Sequence, residues 1–253
     1  MRRFFISEEL NAGKKYSITG QDATHIGKVL RMQPGEAILL VDCLGKAWQS
    51  RLTALSPQKV EVVAEDCRED SSEPPLKVIL VQGLPKGDKF DLIIEKSAEL
   101  GVSVVIPVRT RRTVVNLASA KAEKRQERWQ RIAEEAAKQS GRTAVPRVEP
   151  LRDFAHVVSD LPTHGLVLIP WEGEKQRSLK EVIAQGEGPK EPITVFIGPE
   201  GGWDEEEVRL AQKRGAIPVS LGPRILRTET AGLAVLAILM YQLGDLGGTI
   251  FDS

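Results

Sequence analysis

The sequence has few of the residues that build metal centres and disulfide frameworks. Among its 253 residues there are two cysteines, Cys43 and Cys67, and three histidines, with no pair at metal-ligand spacing. The two cysteines are too few for a disulfide framework, and a low cysteine content suits a reducing compartment. No charged and apolar leader precedes Phe4. We therefore expect a cytoplasmic protein without a metal site.

Long apolar runs and a net charge are missing as well. The longest apolar stretch, residues 231–241, is well short of the roughly 20 residues that span a bilayer, so we expect a buried helix and no membrane association. The 35 basic and 35 acidic side chains cancel, which leaves no overall field to attract a polyanion. A surface that binds nucleic acid must therefore be a local patch.

Residues 1–72 have the pattern of a small β-barrel. Short β-rich runs separated by turn sequences are predicted at residues 3–6, 14–18, 37–42, 46–54 and 59–67. Residues 22–31 are predicted to form one helix, with Ile26, Val29 and Leu30 on its buried face. The polar stretch 68–75 ends in two prolines and is typical of a linker.

Residues 73–253 change to strands that alternate with helices. Apolar strands are predicted at residues 76–82, 104–108, 166–170, 193–197 and 217–221, and a long helix is predicted at residues 119–140. Strands that are apolar throughout are usually buried on both faces. The pattern therefore predicts an α/β domain with a parallel sheet and helices on either side.

Two strand-to-helix turns carry the strongest functional signal. The first loop lies in Ile197–Asp204 (IGPEGGWD) and the second in Leu221–Ala231 (LGPRILRTETA). Each follows an apolar strand and precedes a helix, which places both at the carboxyl edge of the sheet, where open α/β folds bind ligands. We therefore predict one ligand that touches both loops.

The first loop favours a neutral or cationic ligand. Its three glycines let the backbone approach a bound molecule, but Glu200 and the acidic run after it would repel a pyrophosphate or triphosphate. A nucleoside-like sulfonium cofactor fits this description. Asp204 and Glu207 are predicted to form a capping box for a helix at residues 205–214.

The second loop offers exposed guanidinium groups beside an apolar pair. Arg224 and Arg227 flank Ile225 and Leu226, and Thr228 or Thr230 is predicted to cap the next helix. Two interpretations of Arg227 stay open. It acts on a substrate, or it forms a structural ion pair with Glu229 or Glu200.

Together with Met1–Phe5 (MRRFF), Lys86–Lys89 (KGDK) and Glu99–Val102 (ELGV), the two loops resemble the RsmE family of small-subunit ribosomal RNA uridine-N3 methyltransferases, of the SPOUT superfamily. The resemblance implies a C-terminal α/β domain with a trefoil knot over residues 73–253, preceded by a PUA-like barrel over residues 1–72 that helps hold RNA. It also implies methylation of N3 of one 16S ribosomal RNA uridine by S-adenosylmethionine, no metal, and a homodimer.

The resemblance implies cofactor contacts at matching positions. These are Leu168, Pro170, Gly198, Glu200, Gly201, Gly202, Leu221, Gly222, Ile225 and Leu226. Arg227 and Glu229 are predicted to be catalytic. The guanidinium of Arg227 would stabilise the charge that spreads over the uracil oxygens as the N3 proton leaves, whereas the proton acceptor stays open between Glu200, Glu229 and solvent.

Basic side chains in loops and near the barrel are candidates for phosphate contacts. The predicted RNA-binding set is Arg2, Arg3, Arg31, Lys86, Arg109, Arg111, Arg112 and Arg142. The RNA would be free small-subunit RNA or the assembled 30S subunit.

Other functions stay open at this point. One is a non-catalytic RNA-binding factor for ribosome assembly, in which the glycine loops are structural turns, and another is a SPOUT enzyme that modifies tRNA. A Rossmann oxidoreductase is disfavoured, because Gln82–Gly87 has the wrong glycine spacing for a dinucleotide loop.

Overall fold

The computed structural model describes residues 2–68, 72–113, 119–184 and 191–248, so residues 69–71 of the predicted linker lie outside it. The chain forms two compact units. The first unit is Met1–Glu73 with Ala137–Ala144, and the second unit is Pro74–Ala136 with Val145–Ser253. Within the described residues, no helix is both long and apolar enough to cross a membrane.

The first unit is built on one five-stranded sheet. Its strands are β1 (Arg3–Phe5), β2 (Lys15–Thr19), β3 (Ala37–Val41), β4 (Ala47–Leu55) and β5 (Lys59–Arg68). Their order is β1-β3-β4-β5-β2, with β1 parallel to β3 and the other pairs antiparallel. The five predicted strands are confirmed. Since the two edge strands do not pair with each other in the described residues, the sheet is a half-barrel.

The predicted helix at residues 22–31 is wrong in its regularity. Helix α1 (Gly20–Thr24) continues as a π-helical turn over His25–Val29. The wider turn changes which side chains share a face. Ile26 is fully buried as predicted, but Val29 is 66% exposed.

The second unit contains a seven-stranded sheet in which every pair is parallel. Its strands are β6 (Val78–Gly83), β7 (Val104–Arg109), β8 (Arg147–Val148), β9 (Arg152–Asp153), β10 (Leu166–Pro170), β11 (Ile193–Ile197) and β12 (Ile217–Val219). The order is β12-β10-β11-β6-β7-β8, and β9 also pairs with β7. The five predicted strands and the parallel sheet are confirmed, whereas β8 and β9 were not predicted.

Helices cover both faces of this sheet. They are α2 (Lys89–Glu99), α3 (Ser119–Ser140), α4 (Phe154–Ser159), α5 (Leu179–Ala184), α6 (Glu205–Lys213) and α7 (Thr228–Leu243). In β11, Val195 and Ile197 join the core that contains α7, while Phe196 joins the core that contains α4 and α6. The alternation confirms burial on both faces. Helix α7 is buried along Val235, Leu236 and Leu239, as its apolar sequence predicts.

Candidate functional site

The first and second loops line one cavity of about 950 Å³ in the second unit. The first loop follows β11 and the second follows β12, and the parallel sheet brings both to its carboxyl edge. Pro170, at the end of β10, lines the same cavity. One ligand in this cavity can therefore touch both loops.

Two glycines allow the sharp course of the first loop. Gly202 has a φ of +68°, and its N–H donates to the Pro199 carbonyl at 2.9 Å. At the end of β6, a Cβ on Gly83 would lie 2.6 Å from the backbone nitrogen of Pro199. A side chain at Gly83 would therefore displace the first loop.

The Thr228 hydroxyl fixes the first loop to the start of α7. It donates to the Gly198 carbonyl at 2.5 Å and accepts a bond from Gln82 Nε2 at 2.9 Å. Thr228 is buried, and its side chain does not cap α7, whose N-cap residue is Arg227. The prediction that Thr228 or Thr230 caps the helix is therefore wrong, because the N-cap residue Arg227 receives no side-chain cap bond and the Thr228 hydroxyl bonds the neighbouring loop instead.

Glu207 holds the other side of the first loop. Its Oε2 accepts the Asp204 N–H at 3.1 Å, and the Asp204 carboxylate accepts the Glu206 N–H at 3.1 Å, which confirms the predicted capping box. Its Oε1 accepts the Arg111 N–H at 2.9 Å. Through this bond the buried Glu207 also anchors the loop that follows β7.

Lys89 lies between the two acidic residues of the predicted site. Its Nζ is 3.1 Å from Glu200 Oε1 and 3.4 Å from Glu229 Oε2. The hydrogen bond to Glu200 holds the pKa of Lys89 above its usual value, against partial desolvation. Partial burial pushes the pKa of Glu200 upward, but bonds from its own N–H, Lys89 and the Lys86 N–H outweigh burial and leave that pKa below its usual value. Both groups are therefore charged at neutral pH.

Most backbone groups of the second loop have no hydrogen-bond partner among the described residues. Over residues 221–227, the backbone bonds to other described residues are the Gly222 N–H to Ser220 Oγ, and those that the Arg227 carbonyl accepts from the Thr230 and Ala231 N–H groups. Arg227 is exposed and forms no ion pair with a described residue, so the structural ion-pair interpretation has no support here. The loop thus offers donors and acceptors to a ligand.

The structure brings most of the predicted cofactor residues together. The cavity lining includes Pro170, Gly198, Glu200, Gly201, Gly202, Leu221, Gly222, Ile225, Leu226 and Arg227. Glu229 is not among the lining residues, but it forms an ion pair with Lys89, which lines the cavity. Leu168 is fully buried in the core and is not among the residues that line the cavity, so its contact with the cofactor stays a prediction. Leu168 lies in the middle of β10, where its side chain packs into the core beside the sheet.

Several residues that line the cavity were not selected as site residues from the sequence. Lys89, Trp171, Glu172 and Glu174 all line the cavity. The last three follow β10, which ends at the same sheet edge as the two glycine loops. The parallel strand itself was the available signal, since the residues just after it must reach that edge.

Several predicted RNA-binding side chains are engaged within the protein. Arg112 Nη1 donates to the Gly201 carbonyl at 2.9 Å, Arg111 pairs with Asp204 at 3.1 Å and with Glu206, and Arg109 lies 3.3 Å from Asp153. Arg3 bonds Ser72 at 3.3 Å and the Gly141 carbonyl. The remaining exposed members are Arg2, Arg31 and Lys86.

Arg142 is removed from the RNA-binding set by its burial. It is 4% exposed, and its Nη2 lies 2.8 Å from Glu73 Oε2. The other oxygen of Glu73 accepts the Thr143 and Ala144 N–H groups, each at 2.8 Å. Arg142 therefore stabilises the first unit and is not available to a phosphate.

Comparisons with known proteins identify similar RNA methyltransferases. Residues 72–240 match a family model for an RNA methyltransferase domain, and residues 18–65 match one for an RNA methyltransferase PUA domain. The chain is 35% identical to the ribosomal RNA small subunit methyltransferase E of Bacillus subtilis (strain 168), over 98% of this chain and 99% of that protein.

Solved structures show the same similarity. A ribosomal RNA small subunit methyltransferase E from Neisseria gonorrhoeae bound to S-adenosyl methionine matches with a TM-score of 0.87 and 35% identity, over 97% of this chain and 99% of that one. A putative methyltransferase from Legionella pneumophila with bound SAM matches with a TM-score of 0.88 and 32% identity, over 96% and 98%. This chain belongs to the ribosomal RNA small subunit methyltransferase E family.

Proposed function

We propose that this protein transfers the methyl group of S-adenosylmethionine to N3 of one uridine in small-subunit ribosomal RNA. The observation that carries the proposal is the single cavity formed by the first and second loops, in a chain of this family. When bound, the cofactor supplies an electrophilic methyl group. The protein has to hold that cofactor, place the uracil ring and stabilise the charge left when the N3 proton departs.

The lining of the cavity fits the cofactor. The free backbone groups of the second loop suit the polar edge of an adenosine, and Ile225 and Leu226 offer apolar surface beside it. The bare Cα of Gly202 keeps the first loop open to a close-lying ligand. Gly198–Gly202 and Leu221–Leu226 would therefore hold S-adenosylmethionine.

Arg227 is the proposed catalytic cation. Loss of the N3 proton spreads negative charge onto the two uracil carbonyl oxygens, and a planar guanidinium can donate two hydrogen bonds to such charge. Arg227 lines the cavity and is not committed to an ion pair among the described residues. Glu200 is a weak proton acceptor, because its donors hold its pKa below the usual value. Glu229 and solvent are the stronger candidates for the acceptor.

We further propose that residues 1–72 recognise the RNA and residues 73–253 carry the chemistry. The match of residues 18–65 to a PUA model supports this division, as do the exposed side chains of Arg2 and Arg31 in the first unit. The substrate would be small-subunit RNA, free or in the assembled 30S subunit, and the compartment the cytoplasm. The trefoil knot of the family is part of the same proposal, and the chemistry requires no metal.

A homodimer is proposed from the surface of the second unit. Ile238 and Tyr241 lie one turn apart on α7 and are 44% and 68% exposed, and Leu246, just beyond the helix, is 45% exposed. A second copy of the chain would cover these side chains. Sedimentation at micromolar concentration tests this part directly.

The experiment for the main proposal is methylation of ribosomal RNA from cells that lack the enzyme. Purified protein and S-adenosylmethionine are incubated with free 16S RNA, with 30S subunits and with tRNA, and nucleosides are identified by mass spectrometry. We expect 3-methyluridine in the ribosomal samples alone. A product in tRNA would favour the tRNA-modifying alternative, and no cofactor binding at all would favour the assembly factor.

A further inference from the structure

Glu172 differs from the other acidic residues around the cavity. Glu200 accepts bonds from Lys86 and Lys89, and Glu229 lies 3.4 Å from Lys89. Glu174 accepts the backbone N–H groups that follow it in the same turn, at 2.6 and 3.1 Å. Glu172 lines the same cavity, yet it forms no hydrogen bond or ion pair with any described residue.

The loop that carries Glu172 is held in place by its neighbours. The Trp171 N–H donates to the Val219 carbonyl at 3.1 Å, and the Trp171 carbonyl accepts the Glu174 N–H at 3.1 Å. A Cβ on Gly173 would lie 2.4 Å from the Trp171 ring, so the ring packs directly on this backbone. The Glu172 carboxylate thus projects from a backbone whose course is fixed on both sides.

The position of this carboxylate relates it to the first loop. A Cβ on Gly202 would lie 3.7 Å from Glu172 Oε1, so the carboxylate lies close to the bare Cα of Gly202. Since Gly198–Gly202 would hold the cofactor, an unpaired negative charge beside Gly202 is close to any ligand on that loop. A cationic ligand atom gains from that charge, whereas a neutral one does not.

We propose that Glu172 binds the sulfonium of S-adenosylmethionine and makes the site prefer this cofactor to its product. The inference rests on the proposed function. In the reaction the methyl carbon leaves sulfur for N3, the electron pair of the broken bond stays on sulfur, and the sulfonium becomes a neutral thioether. The ammonium and carboxylate of the amino-acid part are the same in both molecules. An attraction that distinguishes S-adenosylmethionine from S-adenosylhomocysteine therefore acts on the sulfonium.

The same charge change predicts the kinetic signature of Glu172. Positive charge on sulfur is already reduced in the transition state, so the carboxylate stabilises the bound substrate more than the transition state. Removing its charge should raise KM for the cofactor without lowering kcat. A proton acceptor at this position would show the opposite pattern, with a large loss of kcat.

Calorimetry on the full-length protein tests this proposal. Dissociation constants for S-adenosylmethionine and S-adenosylhomocysteine are measured for the parent, for Glu172→Gln and for Glu123→Gln, a matched control at an exposed glutamate on α3 that does not line the cavity. We expect Glu172→Gln to bind S-adenosylmethionine about fivefold more weakly, the size of a solvent-accessible ion pair, and the product unchanged. The control should bind both like the parent.

Salt and stability separate this role from a structural one. The preference of the parent for S-adenosylmethionine should shrink as ionic strength rises, and that of Glu172→Gln should not. The melting temperature of Glu172→Gln should equal that of the parent, because Glu172 has no partner to lose among the described residues. Equal weakening for both ligands, no weakening for either, or a loss of kcat with an unchanged preference would each overturn the proposal. A parent protein that binds neither ligand would instead refute the proposed function.

Discussion

Replacing Thr228 with Val should loosen the first loop and weaken cofactor binding. Valine keeps the shape of threonine but removes the hydroxyl that joins Gln82 to the Gly198 carbonyl. Gln82 Nε2 keeps its bond to the Gly83 carbonyl at 3.0 Å, so the main loss falls on the carbonyl of Gly198. A buried polar group left without a partner costs about 1–3 kcal/mol. Gly198 is only partly buried, which places the expected loss near the lower end.

In a chain of this size, a loss of about 1 kcal/mol lowers the melting temperature by about 2–4 °C. The same change should raise the dissociation constant for S-adenosylmethionine, since Gly198 lines the cavity. Thr228→Ser is the matched control, because it keeps the hydroxyl and removes only a methyl group. Serine should retain cofactor affinity even if it loses some stability.

Thermal melts and calorimetry on both variants decide the question. The reasoning predicts that valine is impaired in both measurements and that serine is impaired, if at all, in stability alone. If Thr228→Val binds the cofactor as tightly as the parent while serine does not, the hydroxyl does not position the first loop.

Three further outcomes follow from the site. Arg227→Ala should lower single-turnover rates about a hundredfold with little effect on cofactor affinity or melting temperature, and Arg227→Lys should recover only part of the rate; an active but destabilised Arg227→Ala would remove this residue from the mechanism. Gly202→Val should weaken cofactor binding in calorimetry while circular dichroism stays that of a folded chain, because the φ of +68° at Gly202 strains a β-branched residue. Folding lowers the pKa of Glu200, so its stabilising effect should be constant near neutral pH and be lost only as the pH falls below 4.5, the usual pKa of a glutamate. Melting temperatures of Glu200→Gln and the parent that differ by the same amount at pH 3 and pH 7 would contradict this.

The strands were predictable where burial leaves a pattern in the sequence. Residues 193–197 are apolar except for Thr194 because the sheet buries them on both faces, and they match β11 residue for residue. A strand of two residues, such as β8 or β9, has no period that a sequence can display. The π-helical turn at His25–Val29 was missed for a similar reason, since five residues of mixed character fit an α-helix equally well.

The site was predictable only in part, because only some of its loops have a distinctive sequence pattern. Glycines and an adjacent acidic run marked the first loop, whereas the turn after β10 carries Trp171 and Glu172 without a distinctive spacing. The burial of Arg142 depends on Glu73, a partner 69 residues away. Local pattern gives no access to such a contact, which is decided by the fold.

The contacts of the basic side chains determine how readily each of them can bind an RNA phosphate. A phosphate that binds Arg111 has to compete with Asp204 and Glu206, and one that binds Arg112 has to replace a bond to the Gly201 carbonyl. Competition with the two carboxylates weakens the attraction between Arg111 and a phosphate. Loss of the Arg112 bond would disturb the first loop. Arg2 and Arg31 are exposed, and their side chains have no ion pair or hydrogen bond with a described residue that a phosphate would have to replace. Since the chain has no net charge to attract RNA from a distance, a few unpaired cations of this kind have to supply the local field.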